Sequence, residues 1–138
     1  MAKEIQNIET AAPETIFREV LISVQNSSNA LLVLATFALT SGQWDPNAPN
    51  GIPQQGFGIG PGTTPVWGNF TPTAFTAVQG VMTINGNSST ITINWAWVYG
   101  SNPSSTVTVN GTTLTASVTL ANPTSNTITA QVIISGNA

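Results

Sequence analysis

Val81-Met82-Thr83-Ile84-Asn85-Gly86, followed a few residues later by Ile91-Thr92-Ile93-Asn94-Trp95-Ala96-Trp97-Val98, is the stretch that decides the fold. Ile91, Ile93, Trp95 and Trp97 take every second position, with Thr92, Asn94 and Ala96 between them. A period of two places the large apolar side chains on one face of an extended strand and the small or polar ones on the other. Asn85-Gly86 predicts the hairpin turn, because both residues accept the positive φ that a tight two-residue turn demands.

The same grammar extends outward. Toward the C-terminus a turn at residues 100–103 leads into Thr106-Val107-Thr108-Val109, and a second Asn-Gly stands at Asn110-Gly111. Leu114, Ala116, Val118 and Leu120 then form an inward row with Thr113, Thr115, Ser117 and Thr119 outward, Asn122-Pro123 turns the chain, and Ile128, Ala130, Val132 and Ile134 form a last row. Toward the N-terminus, Val20, Ile22 and Val24 share a face, Asn26-Ser27-Ser28-Asn29 is a turn cluster, and residues 30–39 are apolar enough to predict a strand buried on both faces. Short strands at 8–12-residue spacing, separated by turn residues, predict an all-β fold: an antiparallel β-sandwich of seven or eight strands over residues 18–138. Residues 1–17 read as an N-terminal arm. Residues 41–74, where thirteen of thirty-four positions are Gly or Pro, read as a long ordered loop pegged by aromatic side chains.

Charge sets the class of function. Only 5% of the 138 residues are charged, against about 25% in ordinary soluble domains. Lys3, Glu4, Glu9, Glu14, Arg18 and Glu19 crowd the start and Asp45 stands apart; residues 46–138 contain no Asp, Glu, Lys, Arg, His or Cys. General acid–base chemistry needs a tunable proton carrier, a serine nucleophile needs a base, and a catalytic metal needs clustered His, Cys or carboxylate ligands. The expectation is therefore no catalytic residue, no metal site, no cofactor and no enzyme. Two cationic side chains also argue against a protein that tracks nucleic-acid phosphates. The start of the chain lacks the apolar core of a signal peptide, and the apolar run at 30–39 is about half the length that spans a bilayer as a helix. An extracellular or cell-surface assembly without a recognisable signal peptide is expected, or else an intracellular inclusion.

Sheets normally protect their edges with Lys, Pro or charge, and here those devices are missing over most of the chain while twenty-one threonines coat the predicted strands. A surface of this kind associates, which points to copies of itself as the first partner. In the arm, Ile5, Ile8, Ile16 and Phe17 are the apolar points that would dock on a neighbour. The large aromatics Trp44, Trp67, Trp95, Trp97 and Tyr99 are candidates for surface or lipid contact, since each joins an apolar body to a polar edge. Trp95 and Trp97, sharing a strand face, read first as core; Trp44, Trp67 and Tyr99, beside Gly/Pro loops, read equally as exposed or buried. Asn-x-Ser/Thr sequons begin at Asn26, Asn69, Asn87 and Asn110.

Three stretches together resemble the aegerolysin family. They are Arg18-Glu19-Val20-Leu21-Ile22-Ser23-Val24-Gln25-Asn26-Ser27, then Leu39-Thr40-Ser41-Gly42-Gln43-Trp44, then Gln79-Gly80-Val81 with the strand running from Ile91 through Tyr99-Gly100-Ser101-Asn102. The similarity covers roughly residues 18–102. Ala96 stands after Trp95 where the family usually has an acidic residue, and the segment between Trp44 and Phe75 is longer than expected. The resemblance implies a small β-sandwich without a secretion signal; several members bind membrane lipid and act beside a second, pore-forming protein.

Two functions are thus expected. The first is a non-enzymatic structural subunit that self-assembles into a filament, sheath or crystalline inclusion through its arm and uncharged β surfaces. The alternative is an aegerolysin-like, membrane-lipid-binding cytolysin or toxin component.

Overall fold

The fold is described from a computed structural model over residues 16–121, 123–124 and 126–136. Ten strands follow one another: β1 (Arg18–Asn26), β2 (Leu32–Ser41), β3 (Gln43–Trp44), β4 (Gly58–Ile59), β5 (Val66–Thr71), β6 (Val78–Gly86), β7 (Ser89–Trp97), β8 (Ser104–Asn110), β9 (Leu114–Ala121) and β10 (Thr127–Gly136). Eight are long and two, β3 and β4, have two residues each. They form two five-stranded sheets, β9-β10-β1-β5-β3 and β4-β2-β6-β7-β8. The β-sandwich expected from the alternation is present. One pairing departs from the antiparallel rule: β10 lies parallel to β1, so the last strand completes the sheet beside the first.

The core forms where the inward rows of the two sheets meet. Val20, Ile22 and Val24 from β1 and Ile128, Ala130, Val132 and Ile134 from β10 face Met82, Ile84, Ile91, Ile93 and Trp95 from the second sheet. Each large aliphatic side chain so buried contributes roughly 1.5–3 kcal/mol. Within this core Asn69 on β5 spans the two layers. Its Oδ1 accepts the Trp95 indole N–H at 2.9 Å, and its Nδ2 donates to the Ser41 and Gln43 carbonyls, both at 3.2 Å. Gly80, paired with Trp95 across β6 and β7, leaves room for the indole: a Cβ there would lie 2.6 Å from the ring.

Three sequence expectations change. Residues 30–39 are not buried on both faces. The register of β2 shifts between Leu34 and Thr36, and beyond that bulge Thr36, Ala38 and Thr40 face solvent while Phe37 and Leu39 turn inward. The hairpin between β6 and β7 turns at Asn87-Ser88, both with positive φ (49° and 59°), and not at Asn85-Gly86. Gly86 serves packing instead, since a Cβ on it would strike the Leu32 side chain. The stretch 41–74, expected as one loop, also supplies β3, β4 and β5, because Trp67, Asn69 and Phe70 reach buried partners.

Candidate functional site: an aromatic end around a buried arginine

The five candidate aromatics separate by depth. Trp67 and Trp95 are core, 1% and 2% exposed, so neither forms surface in the folded molecule. Trp67 meets Phe57 edge-on at 5.5 Å, and Trp44 is half-buried between Phe37 and Trp95, 6.0 Å from each. Trp97 is half-buried at the end of β7. Tyr99 is 54% exposed and contacts Phe75, 77% exposed, with ring centroids 4.8 Å apart.

Tyr99 and Trp97 sit at the end of the sandwich where β7 finishes and β1 begins, and Arg18 organises that end. As the first residue of β1, Arg18 turns its side chain opposite to Glu19. Its Nη1 donates to the carbonyls of Ala74 and Thr76, both at 2.9 Å, which ties down the segment that carries Phe75. The guanidinium carbon lies 5.5 Å from the Phe17 ring centroid and 5.8 Å from that of Trp97, within cation–π range. Arg18 is buried, and among the described residues its Nε has no hydrogen-bond partner. Phe17, Phe75, Val98 and Tyr99 are all exposed, and they are the apolar side chains that this end presents around the segments Arg18 ties down.

Of the arm residues, Ile5 and Ile8 lie outside the described residues. Ile16 and Phe17 are fixed to the domain: the Ile16 carbonyl accepts from Asn126 Nδ2 at 3.3 Å, and the Phe17 N–H donates to Thr71 O at 2.8 Å. Sequence reading missed Phe75, Val98 and Arg18 as site residues. Phe75 carried a signal, an isolated aromatic in Thr71-Pro72-Thr73-Ala74-Phe75-Thr76, where no alternation gives it an inward place. Two of the sequons are closed, since Asn26 and Asn69 are fully buried; Asn87 and Asn110 are exposed.

Two other features lie apart from this end. On the outer face of the first sheet Glu19 rests against Asp45, in a place that Gly68 keeps open. Burial first, then the hydrogen bond with Asp45 and the charge of Asp45, push the Glu19 carboxyl up to about 8, so it is mostly protonated at neutral pH. Over the outer face of the second sheet runs a shallow groove of about 250 Å³, walled by Thr40, Gln79, Asn94 and Thr106 over Ala38 and Ala96. No described helix is long and apolar enough to cross a membrane.

The molecule is thus a β-sandwich with an aromatic end, and comparison places its fold among solved structures. No protein-family model matches the sequence and no curated protein matches it. IP-1A from Alcaligenes faecalis superposes with a TM-score of 0.68 at 10% identity, over 91% of this chain and 95% of that one. RahU, solved in complex with TRIS, gives 0.67 at 12% identity over 90% and 98%. Nakanori, a lipid binding protein, gives 0.67 at 14% identity over 87% and 71%. The shared property is the fold.

Proposed function

We propose that the protein binds the interfacial layer of a lipid membrane through its aromatic end, as an aegerolysin-type recognition component without catalytic activity. The observation that carries this reading is the exposure of Phe17, Phe75, Val98 and Tyr99 at the end where buried Arg18 contacts Phe17 and holds the carbonyls on either side of Phe75. Aromatic side chains favour the headgroup layer, and each large apolar group leaving water there contributes roughly 1.5–3 kcal/mol. Arg18 adds a positive charge where lipid phosphates would lie. The likeness to Nakanori, whose description is that of a lipid binding protein, supports the same reading. In it, a second, pore-forming protein supplies any permeabilisation. The carboxyls of Glu19 and Asp45, on the outer face of the first sheet, take no part.

Flotation with vesicles of neutral phosphatidylcholine, and of the same lipid with an anionic fraction, tests the proposal. The protein is expected to float with vesicles, more so when anionic lipid is present, and the double variant Phe75→Ser/Tyr99→Ser to remain at the bottom. Flotation of that variant like the parent, or no flotation of the parent on either composition, would overturn it. The likeness to IP-1A, RahU and Nakanori supports the lipid-binding reading better than the filament or inclusion reading.

A further inference from the structure

The two long sides of the sandwich are finished differently. On one side the sheets end in β3 and β4, each two residues long, beside the rest of β2, whose register is broken at Leu34/Thr36 and Leu39/Ser41, and a segment with Pro46, Pro49, Pro53, Pro61 and Pro65. Short edge strands and proline are standard ways to stop a sheet from recruiting another strand. On the other side the sheets end in β8, seven residues, and β9, eight residues. Among the described residues β8 pairs only with β7 and β9 only with β10, in registers without a bulge. Residues 104–121 contain no charged residue and no proline. The rows that face inward from these strands, Val107 and Val109 on β8 and Ala116, Val118 and Leu120 on β9, are only half-buried.

We propose that β8 is a homodimer edge, pairing antiparallel with β8 of a second copy about a two-fold axis through Val107. Several observations select a second copy as the occupant. Val107 is the midpoint of the seven-residue strand, so this register uses all of it, Ser104 opposite Asn110 and Thr106 opposite Thr108 of the copy. Opposed residues of an antiparallel pair face the same side, so both outer rows stay outward and Val107 meets its twin on the inner face. Thr36, Thr83, Thr92 and Thr108 already form one row across the second sheet, and the two-fold continues it into Thr106 of the copy. With no charge on the strand, self-pairing meets no like-charge repulsion, and a charged partner finds no counter-charge. The odd-length β8 can be centred on a residue; the eight-residue β9 cannot. The result is a continuous ten-stranded sheet, closed by symmetry. Because the paired strands run oppositely, the two aromatic ends point away from each other. This inference does not rest on the membrane reading.

Sedimentation velocity of the full chain, from micromolar to several hundred micromolar, tests it. A monomer–dimer equilibrium nearly independent of salt is expected. Thr106→Lys/Thr108→Lys should weaken it at least about tenfold, since opposed lysines repel across the join. Thr115→Lys on β9 should leave it unchanged. All three positions are exposed, and far-UV circular dichroism would report that the variants fold. The chain has no cysteine, so Thr106→Cys/Thr108→Cys adds the only thiols, and mild oxidation should yield a covalent dimer. A chain that stays monomeric throughout, a dimer broken by the β9 variant and not by the β8 variant, or a dimer that fails to cross-link would each overturn the proposal.

Discussion

The two ends of the sandwich solve the same problem in opposite ways. Where β1 finishes, Asn26 is fully buried and uses its whole hydrogen-bonding capacity: Nδ2 donates to the Ala30 and Ile59 carbonyls, both at 2.8 Å, and Oδ1 accepts from the Ser28 N–H at 3.0 Å and the Ser28 hydroxyl at 2.6 Å. Where β1 starts, Arg18 is also buried, but its Nε has no partner among the described residues, and the exposed Phe17 and half-buried Trp97 rings face its guanidinium. The first end is closed by short polar bonds that leave nothing to bind. At the second, folding leaves apolar surface in water, and its lining makes chemical sense when something else covers it. If the open end is the proposed binding surface, stability and binding divide between the termini of a single strand, and each can be perturbed alone.

The largest effect is expected at the closed end. Asn26→Ala removes four hydrogen bonds and strands buried carbonyls, at a cost of about 3 kcal/mol in urea unfolding. Vesicle flotation of the folded fraction should not change. A loss below about 1 kcal/mol, or a loss of flotation, would mean that the two ends are not independent. Trp95→Phe comes next, at about 1–2 kcal/mol, because it removes the N–H that Asn69 Oδ1 accepts between the sheets. If instead the cost approaches that of a large-to-small core change, the indole's packing and not its bond to Asn69 is what joins the layers.

These two asparagines also mark where the sequence stops being readable. Alternation made the long strands legible from Val20, Ile22 and Val24 to Ile128 and Ile134, because a period of two has one physical reading when one face is buried. Asn26 and Asn69 looked like turn and sequon residues; nothing local reveals that their partners lie at Ile59 and Trp95, distant in the chain. The bulge in β2 was hidden for a similar reason, as Ala35 is small enough to suit either face. The candidate site was half legible. Tyr99 was singled out, but the aromatics expected beside it divided by depth, and Phe75 joins it only because Arg18 holds the Ala74 and Thr76 carbonyls. A cation that binds backbone leaves no motif.

A third prediction concerns Glu19, next to Arg18 in sequence but on the opposite face. Its carboxyl, held up to about 8 by burial and by Asp45, binds its proton more tightly in the folded chain than in the unfolded one, where the ordinary value is 4.5. The stability this provides is fully present below about 4.5 and is lost as pH rises through about 8. Urea midpoints should therefore fall from pH 5 to pH 9, and Glu19→Gln should flatten that profile. Asp45 is the acidic group that faces Glu19, so Asp45→Asn should reduce the dependence as well. Flotation of the folded protein should not track this titration, since Glu19 points away from the aromatic end. If binding and stability fell together with the same midpoint, the two faces of β1 would be coupled.

The smallest expected effect on stability is also the most informative about the open end. Phe75→Ser and Tyr99→Ser each remove a mostly exposed ring, and such changes usually alter stability by no more than about 0.5 kcal/mol. The rings contact each other at 4.8 Å, a pair worth about 0.5–1.5 kcal/mol when buried and less in water. The double variant should therefore unfold within about 1 kcal/mol of the parent while losing vesicle flotation. A loss of 2 kcal/mol or more would show that Phe75 and Tyr99 cap the core at this end as Asn26 does at the other, and the contrast between the ends would vanish. Unchanged stability with lost binding would separate these rings from the fold, because side chains that do nothing for the free protein would then decide its attachment to a membrane.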